Sequence, residues 1–282
     1  MTLTPSAPGL SAEQWRSHVA EVLTRARDRS QLLTESVDDD DLVRQHSPLM
    51  SPLVWDLAHV GNQEELWLVR DVGGRTPVRQ DIDELYDAFK HTRANRPALP
   101  LLGPADARRY VREVRDKVLD VLEHTPLEGR PLLDQAFAFG MVAQHEQQHD
   151  ETMLATHQLR AGAAVLDALP PPRGMPLPVA EVLVPGGPFT MGTSTEPWAL
   201  DNERPGHALE AAPSFIDTTA VTKAAYQVFI AAGGHNQTQR GACAVWATRK
   251  QRPRADRPPG APRERPWRRA RRRAHSAGLP DA

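Results

Sequence analysis

Two histidines four residues apart carry the clearest chemical signal in the sequence. His145 and His149 lie in a segment with helical periodicity, and residues at this spacing share one helical face, about 6 Å apart. Both imidazoles can therefore reach one metal ion, and neutral imidazole is a good ligand for zinc, iron, copper and nickel. A second predicted helix carries His59, so packing of the two helices predicts a three-histidine site with open positions for water, substrate or dioxygen.

The same segment also has the pattern His-Glu-x-x-His of zinc metalloproteases, in which the glutamate, here Glu146, acts as general base. The extended pattern of one large protease class is absent, because Thr152 and Ala155 stand where a glycine and a third histidine are needed. A zinc metalloprotease remains an alternative. For His59 taken alone, a hydrogen-bonded core histidine is the alternative to a metal ligand.

Length and composition favour a packed protein of one large domain or two ordinary ones. The 282 residues are 40% hydrophobic and 25% charged, and no apolar run approaches the roughly 20 residues that span a membrane. No secretory signal is expected, and the single cysteine fits a reducing, cytoplasmic compartment. The net charge of −2 hides an asymmetry, because residues 249–282 hold 12 Lys and Arg against 3 Asp and Glu.

Hydrophobic periodicity predicts an α+β protein with a helical bundle first and short strands after it. The predicted bundle covers 10–165, with helices over 11–36, 52–71, 104–124 and 130–160. A long polar connection between the second and third helices is typical of a functional loop. A Pro-rich linker follows at 166–178, and 179–238 combine short strands near 182–184, 189–192 and 215–217 with a helix near 223–232.

Several motifs resemble parts of a known enzyme family. Residues 45–59 (QHSPLMSPLVWDLAH) and 145–154 (HEQQHDETML) resemble the metal-binding helices of DinB-like bundles in the ergothioneine pathway. Residues 184–192 (VPGGPFTMG), 201–207 (DNERPGH) and 221–226 (VTKAAY) are similar to the start of a formylglycine-generating-enzyme-like domain, whose fold is C-type-lectin-like. This order, over about 10–236, resembles that of the hercynine oxygenases, the sulfoxide synthases of ergothioneine biosynthesis.

The resemblance implies a mononuclear non-haem iron(II) centre held by His59, His145 and His149. It implies an O₂-dependent oxidoreductase that joins the thiol of γ-glutamylcysteine, or of cysteine in some members, to C2 of hercynine as a sulfoxide. The expected partners are these small molecules, with neither a membrane nor nucleic acid. Three neutral histidines also accept zinc, so the residue types alone leave the metal open.

The resemblance also implies substrate-binding residues outside the metal site. Arg93 and Arg96 fit a clamp on the carboxylates of the thiol substrate, since guanidinium pairs bidentately with carboxylate. Gln148 fits a hydrogen bond to the imidazole or carboxylate of hercynine. The alternatives are solvated loop arginines and an exposed helical glutamine. The family's catalytic tyrosine proton donor belongs to a later part of the second domain, so no catalytic residue is assigned here.

The sequence departs from the family pattern after residue 236. The following stretch is rich in Arg, Pro and Ala, as in 263–273 (RERPWRRARRR), and such a composition does not bury enough surface to fold. We expect a shift of reading frame near Asn236–Gln239 and a disordered basic tail over 239–282, leaving the second domain incomplete. The alternatives for the tail are phosphate contacts with nucleic acid and an extension without function.

An incomplete second domain leaves two further alternatives for the function of the chain. One is a DinB-like, metal-dependent thiol transferase that uses the bundle alone. The other is a non-catalytic, metal-binding remnant.

Overall fold

The computed structural model describes residues 10–167 and 180–234. These belong to two compact units, one formed from Met1–Pro176 and Pro185–Pro213 and the other from Leu177–Val184 and Ser214–Ala282. The predicted α+β class is confirmed, because helices form the N-terminal region and strands follow it. The predicted linker, apart from its first two residues, and the basic tail at 239–282 lie outside the described residues.

The first unit contains four long helices, as the periodicity predicted. Helix α1 begins with a capping box, in which Ser11 and Gln14 bind each other's backbone N–H groups. A short helix α2 lies between α1 and α3, and α4 carries a proline in its first turn. The bounds are α1 Ala12–Glu35, α2 Asp39–Val43, α3 Leu53–Glu64, α4 Pro104–His124 and α5 Phe137–Leu159.

The second predicted helix is regular only as far as Glu64. Glu65–Val72 continue it as a π-helix, which ends at Gly73. In this wider turn the buried carboxylate of Glu65 accepts hydrogen bonds from the hydroxyl of Tyr110 (2.7 Å) and from Arg70 (3.1 Å). Leu68, Val69 and Val72 of this segment are buried, whereas Trp67 is exposed.

The fourth predicted helix begins later than expected. The prediction placed its start at residue 130, whereas α5 begins at Phe137. Gln135 and Ala136 have φ angles of 52° and 57°, in the left-handed region that a right-handed helix excludes. This bend leaves the carbonyl of Gln135 free to accept a hydrogen bond of 2.9 Å from the indole N–H of Trp198.

Trp198 is buried against the helices of the first unit. Its ring stacks on His18 at 5.5 Å between centroids and lies 5.9 Å from the ring of Trp15. Gly140 of α5 lies directly beneath the indole, and a Cβ atom added at this position would overlap the ring. Glycine is therefore required here by the close approach of the indole to the helix.

Gly140→Ala is expected to lower the free energy of unfolding by about 1–3 kcal/mol, the usual range for an overpacked core. The added methyl group must displace Trp198, so its fluorescence should shift toward that of an exposed indole. Chemical denaturation followed by tryptophan emission measures both effects. Gly103→Ala is the control, because an added Cβ there meets nothing within 4 Å; equal losses in both variants would contradict the prediction.

Short antiparallel strand pairs occur in both units. In the first unit β2 (Gly187–Met191) pairs with β3 (His207–Ala211), with Phe189 opposite Leu209. In the second, β1 (Glu181–Val184) pairs with β4 (Ser214–Asp217), and α6 (Lys223–Ala231) begins after Thr222. The predicted short strands and helix are confirmed, and β3 was not predicted.

Buried charges join the four long helices. Arg27 of α1 donates hydrogen bonds to Glu146 of α5 (2.7 Å) and to Glu64 of α3 (2.6 Å). Arg115 of α4 donates to the same two carboxylates, at 2.9 Å and 2.5 Å. These four side chains, at most 9% exposed, form a closed and formally neutral group that we call the charge ring.

Within residues 10–167 and 180–234, no helix combines the length and apolar character that a membrane span requires.

Candidate metal centre

The three predicted histidines lie together between α3 and α5. His59 projects from α3, and His145 and His149 project from successive turns of α5. One nitrogen from each ring lies within 4.8 Å of the other two, and the ring centroids are 4.6–5.1 Å apart. Three imidazole nitrogens at this separation can bind one metal ion.

Hydrogen bonds at the far side of two rings orient them. Nδ1 of His59 lies 2.8 Å from the carbonyl oxygen of Tyr86, which only accepts, so this nitrogen carries the proton. Nδ1 of His149 lies 2.9 Å from a carboxylate oxygen of Asp56. Because Nδ1 is engaged in both rings, Nε2 is the nitrogen that each ring offers to a metal, an arrangement common among metal-binding histidines.

Burial favours the neutral form of His59 and of His145. Burial and the neighbouring histidines His149 and His145 lower the pKa of His59 to about 2. The pKa of His145 falls to about 4, first through burial and then through the charge of His149. Metal binding requires unprotonated imidazole. The donor chemistry therefore fits a divalent metal ion at neutral pH.

A cavity of about 550 Å³ opens beside the three histidines. This volume lies in the range that accommodates small-molecule ligands. Apart from two residues of the helix that carries His59, the remaining wall comes from the polar connection between α3 and α4. The lining residues are His59, Gln63, Leu66, Asp83, Glu84, Asp87, Ala88, Phe89, Lys90, His145 and His149.

Hydrogen bonds fix the cavity wall. Asp83 accepts two hydrogen bonds from Arg70, at 2.6 Å and 3.0 Å, and one of 2.8 Å from Asn62. The bond to Arg70 holds the pKa of Asp83 below its usual range. Lys90 pairs with Glu84 at 2.7 Å. The length and polarity of this connection predicted a functional loop, but they did not predict which of its residues face the cavity.

The three predicted substrate-binding residues do not line this cavity. Arg93 is exposed and donates to the carbonyl of Leu49 at 2.7 Å. Arg96 is buried, and its guanidinium lies 3.4 Å from the ring centroid of Trp55. Gln148 is exposed on α5. Their roles toward substrate stay predictions.

Arg96 instead reaches the metal centre indirectly, through an aromatic side chain. The indole of Trp55 stacks on the ring of His59, with 4.6 Å between centroids and 13° between planes. Arg96 also donates to the hydroxyl of Ser51 at 2.5 Å. Burial lowers the pKa of Arg96, and the charge of Asp56 acts in the opposite direction. A cation and a carboxylate therefore lie behind the histidines, away from the cavity.

Glu146 is unsuited to the base role of a metalloprotease. It is 2% exposed, belongs to the charge ring and does not line the cavity. Burial alone would raise its pKa, but the charges of Arg27 and Arg115 lower it below the usual value. A carboxylate held by two guanidinium groups is not available to take a proton from water, and this opposes the protease alternative.

Comparisons with known proteins agree with the two-part organisation of the chain. Residues 22–153 match the DinB superfamily, and residues 168–270 match the sulfatase-modifying factor enzyme 1-like domain. The second match extends to residue 270, past residue 236, after which the sequence was expected to depart from the family pattern. That boundary stays a prediction, and this match does not support it.

Three curated relatives are named hercynine oxygenase. The chain is 48% identical to that of Mycolicibacterium smegmatis over 243 residues, which are 84% of this chain and 55% of the relative. It is 48% identical to that of Mycolicibacterium thermoresistibile over 242 residues (83% and 52%). For Mycobacterium tuberculosis the identity is 43% over 235 residues (81% and 53%).

The chain thus spans about half the length of these relatives. Over most of its own length it is a homologue of the hercynine oxygenases, with a DinB-superfamily region followed by a sulfatase-modifying-factor-type region.

Proposed function

We propose that the chain belongs to an iron(II)- and O₂-dependent sulfoxide synthase of ergothioneine biosynthesis. In this reaction the thiol of γ-glutamylcysteine, or of cysteine, is joined to C2 of the hercynine imidazole and oxidised to a sulfoxide. The observation that carries the proposal is the three-histidine cluster at the wall of a cavity. The homology to hercynine oxygenases supports it.

We propose His59, His145 and His149 as the metal ligands. When bound, iron supplies dioxygen activation and favours the thiolate form of the sulfur substrate. The chain itself contributes neutral nitrogens, two of them oriented by Tyr86 and Asp56. Because all three ligands are uncharged, the metal keeps its full positive charge for an anionic substrate.

The cavity beside the histidines is our proposed location for the reacting groups. Its volume is sufficient for an imidazole and a thiol side by side, and its polar wall offers hydrogen-bonding groups. We propose Gln148 as a contact of hercynine and Arg93 with Arg96 as contacts of the thiol substrate's carboxylates; none of the three lines the cavity, so this proposal requires their side chains to turn toward it. Arg93 needs to release only one carbonyl, that of Leu49, to become available.

Arg93→Ala is expected to weaken binding of γ-glutamylcysteine by about 10-fold or more, because a charge-assisted hydrogen bond contributes about 1.5–3 kcal/mol. Metal content should stay unchanged, since Arg93 touches none of the histidines. Calorimetric titration of the metal-loaded chain measures the affinity. Arg112→Ala, an exposed arginine on α4, is the matched control; unaltered affinity in Arg93→Ala would refute the clamp.

The proposed activity is tested with the full chain, loaded anaerobically with iron(II). Hercynine and γ-glutamylcysteine are added, and then dioxygen; mass spectrometry detects the sulfoxide product. Formation of this product with oxygen, and its absence without oxygen, supports the proposal. No product from a metal-loaded chain that binds both substrates would show that this polypeptide is not a sulfoxide synthase by itself.

A metal-dependent thiol transferase is a second candidate. The observation in its favour is that every described residue lining the cavity lies between residues 59 and 149, within the helical region. Such an enzyme transfers a thiol to an electrophilic acceptor without oxygen. Thiol consumption under anaerobic conditions, with an acceptor such as a substituted halobenzene, would favour this candidate over the synthase.

We further propose a cytoplasmic location, where the thiol substrate stays reduced. The partners are then hercynine, the thiol and dioxygen. We assign the bundle to 10–165 and the second region to 179–238, and no residue of this chain is proposed as the catalytic proton donor.

A further inference from the structure

Asp56 of α3 is a buried carboxylate whose position packing alone does not explain. Its side chain is 1% exposed, and one oxygen, Oδ2, has no hydrogen-bond partner among the described residues. Burying an unpaired polar oxygen is unfavourable. A carboxylate at a helix start could interact with the helix dipole from an exposed position, so the dipole does not account for this burial.

The other oxygen of Asp56 points across the helix interface to the metal centre. Oδ1 lies 2.9 Å from Nδ1 of His149, a residue on α5. The charge of Asp56 acts on Arg96, a buried arginine whose guanidinium lies over the ring of Trp55. The imidazole of His149 is therefore the hydrogen-bond partner of this carboxylate among the described residues, and His149 lines the cavity whereas Arg96 does not.

We propose that Asp56 is a positioning residue that fixes the proton of His149 on Nδ1 and directs Nε2 to the metal. This inference rests on the proposed metal centre, which the proposed function also uses. A carboxylate acceptor fixes the ring by a bond to its far nitrogen and makes the other nitrogen a stronger donor. Removing such a partner typically weakens metal binding by about 10–100-fold.

The first test reports the ring itself and needs no metal. In the metal-free chain labelled with ¹⁵N-histidine, NMR distinguishes which nitrogen of His149 carries the proton. We expect protonated Nδ1 in the native chain and a loss of that preference in Asp56→Ala. Asp56→Asn keeps the side-chain shape and one acceptor oxygen. Its preference for protonated Nδ1 at His149 should therefore lie between those of the native chain and Asp56→Ala. A native ring protonated on Nε2, or an unaltered ring in Asp56→Ala, overturns the inference.

The second test measures metal binding directly, with cobalt(II) as the probe. The affinity of Asp56→Ala should drop by about 10–100-fold, and that of Asp56→Asn by less, with a changed visible absorption spectrum in both. Asp71→Asn, an exposed carboxylate further along the same helical segment, should match the native chain. Native affinity in Asp56→Ala overturns the positioning role while leaving the metal centre intact.

The two tests separate this inference from the proposed function. A native chain that binds no cobalt overturns the metal centre and the positioning role together. A native chain that binds cobalt but makes no sulfoxide refutes the synthase activity alone. The comparison of the Asp56 variants then still tests the positioning role. Where Asp56→Ala does not fold, Asp56→Asn carries both measurements, and native values for it overturn the inference.

Discussion

His145→Ala is expected to abolish stoichiometric metal binding, and His149→Ala should have the same effect. Each change leaves two nitrogens from two different helices, and two imidazoles rarely hold a divalent ion alone. Loss of an outer partner already weakens binding by about 10–100-fold, so loss of a ligand should exceed about 100-fold. Metal content after anaerobic iron(II) loading, and the affinity for cobalt(II), measure the effect.

The matched control for these variants is His124→Ala. His124 is exposed on α4, and its ring bonds only within its own helix, to the carbonyl of Asp120 at 2.8 Å. It should therefore bind metal like the native chain. Full iron content in both His145→Ala and His149→Ala would show that the ligand assignment is wrong.

Arg115→Met is expected to lower the free energy of unfolding by about 3–5 kcal/mol, the usual loss when one partner of a buried ion pair is removed. The charge ring then keeps two carboxylates, Glu64 and Glu146, against the single guanidinium of Arg27. One negative charge is left without compensation at a site closed to water. Equilibrium denaturation in urea measures the change.

Two further variants test the explanation by charge. Arg112→Met makes the same substitution at an exposed position on the same helix and should change stability by less than about 0.5 kcal/mol. Arg115→Met combined with Glu64→Gln restores neutrality, so it should be more stable than Arg115→Met alone. If the double variant loses as much free energy of unfolding as the two single variants together, charge balance does not explain how the ring stabilises the fold.

The helices were predictable from short-range periodicity, whereas the ligand roles of the three histidines stay predictions. His145 and His149 share a helical face by spacing alone, and the helix predicted over 11–36 agrees with α1 to within one residue at each end. These signals lie within a few residues of the positions that they determine.

The charge ring and the cavity wall were not predictable in the same way. Arg115 of α4 is buried because its partners come from three other helices: Glu64, Glu146 and the carbonyl of Leu23. The late start of α5 depends on Trp198, some 60 residues further along the chain. Contacts between segments far apart in sequence determine such features, and local composition does not predict those contacts.

The charge ring has a consequence for how the site can change. Glu146 lies between His145 and His149 in sequence but points to a different side of α5, about 60–100° around the helix from each of them, where it binds Arg27 and Arg115. One residue of slip along α5 turns every side chain by about 100°, so a slip that misdirected the histidines would also break the ring. Helix register is thus set by groups that take no part in metal chemistry. The scaffold should accept a different set of ligands at these positions, such as two histidines and one carboxylate, without realignment of its helices.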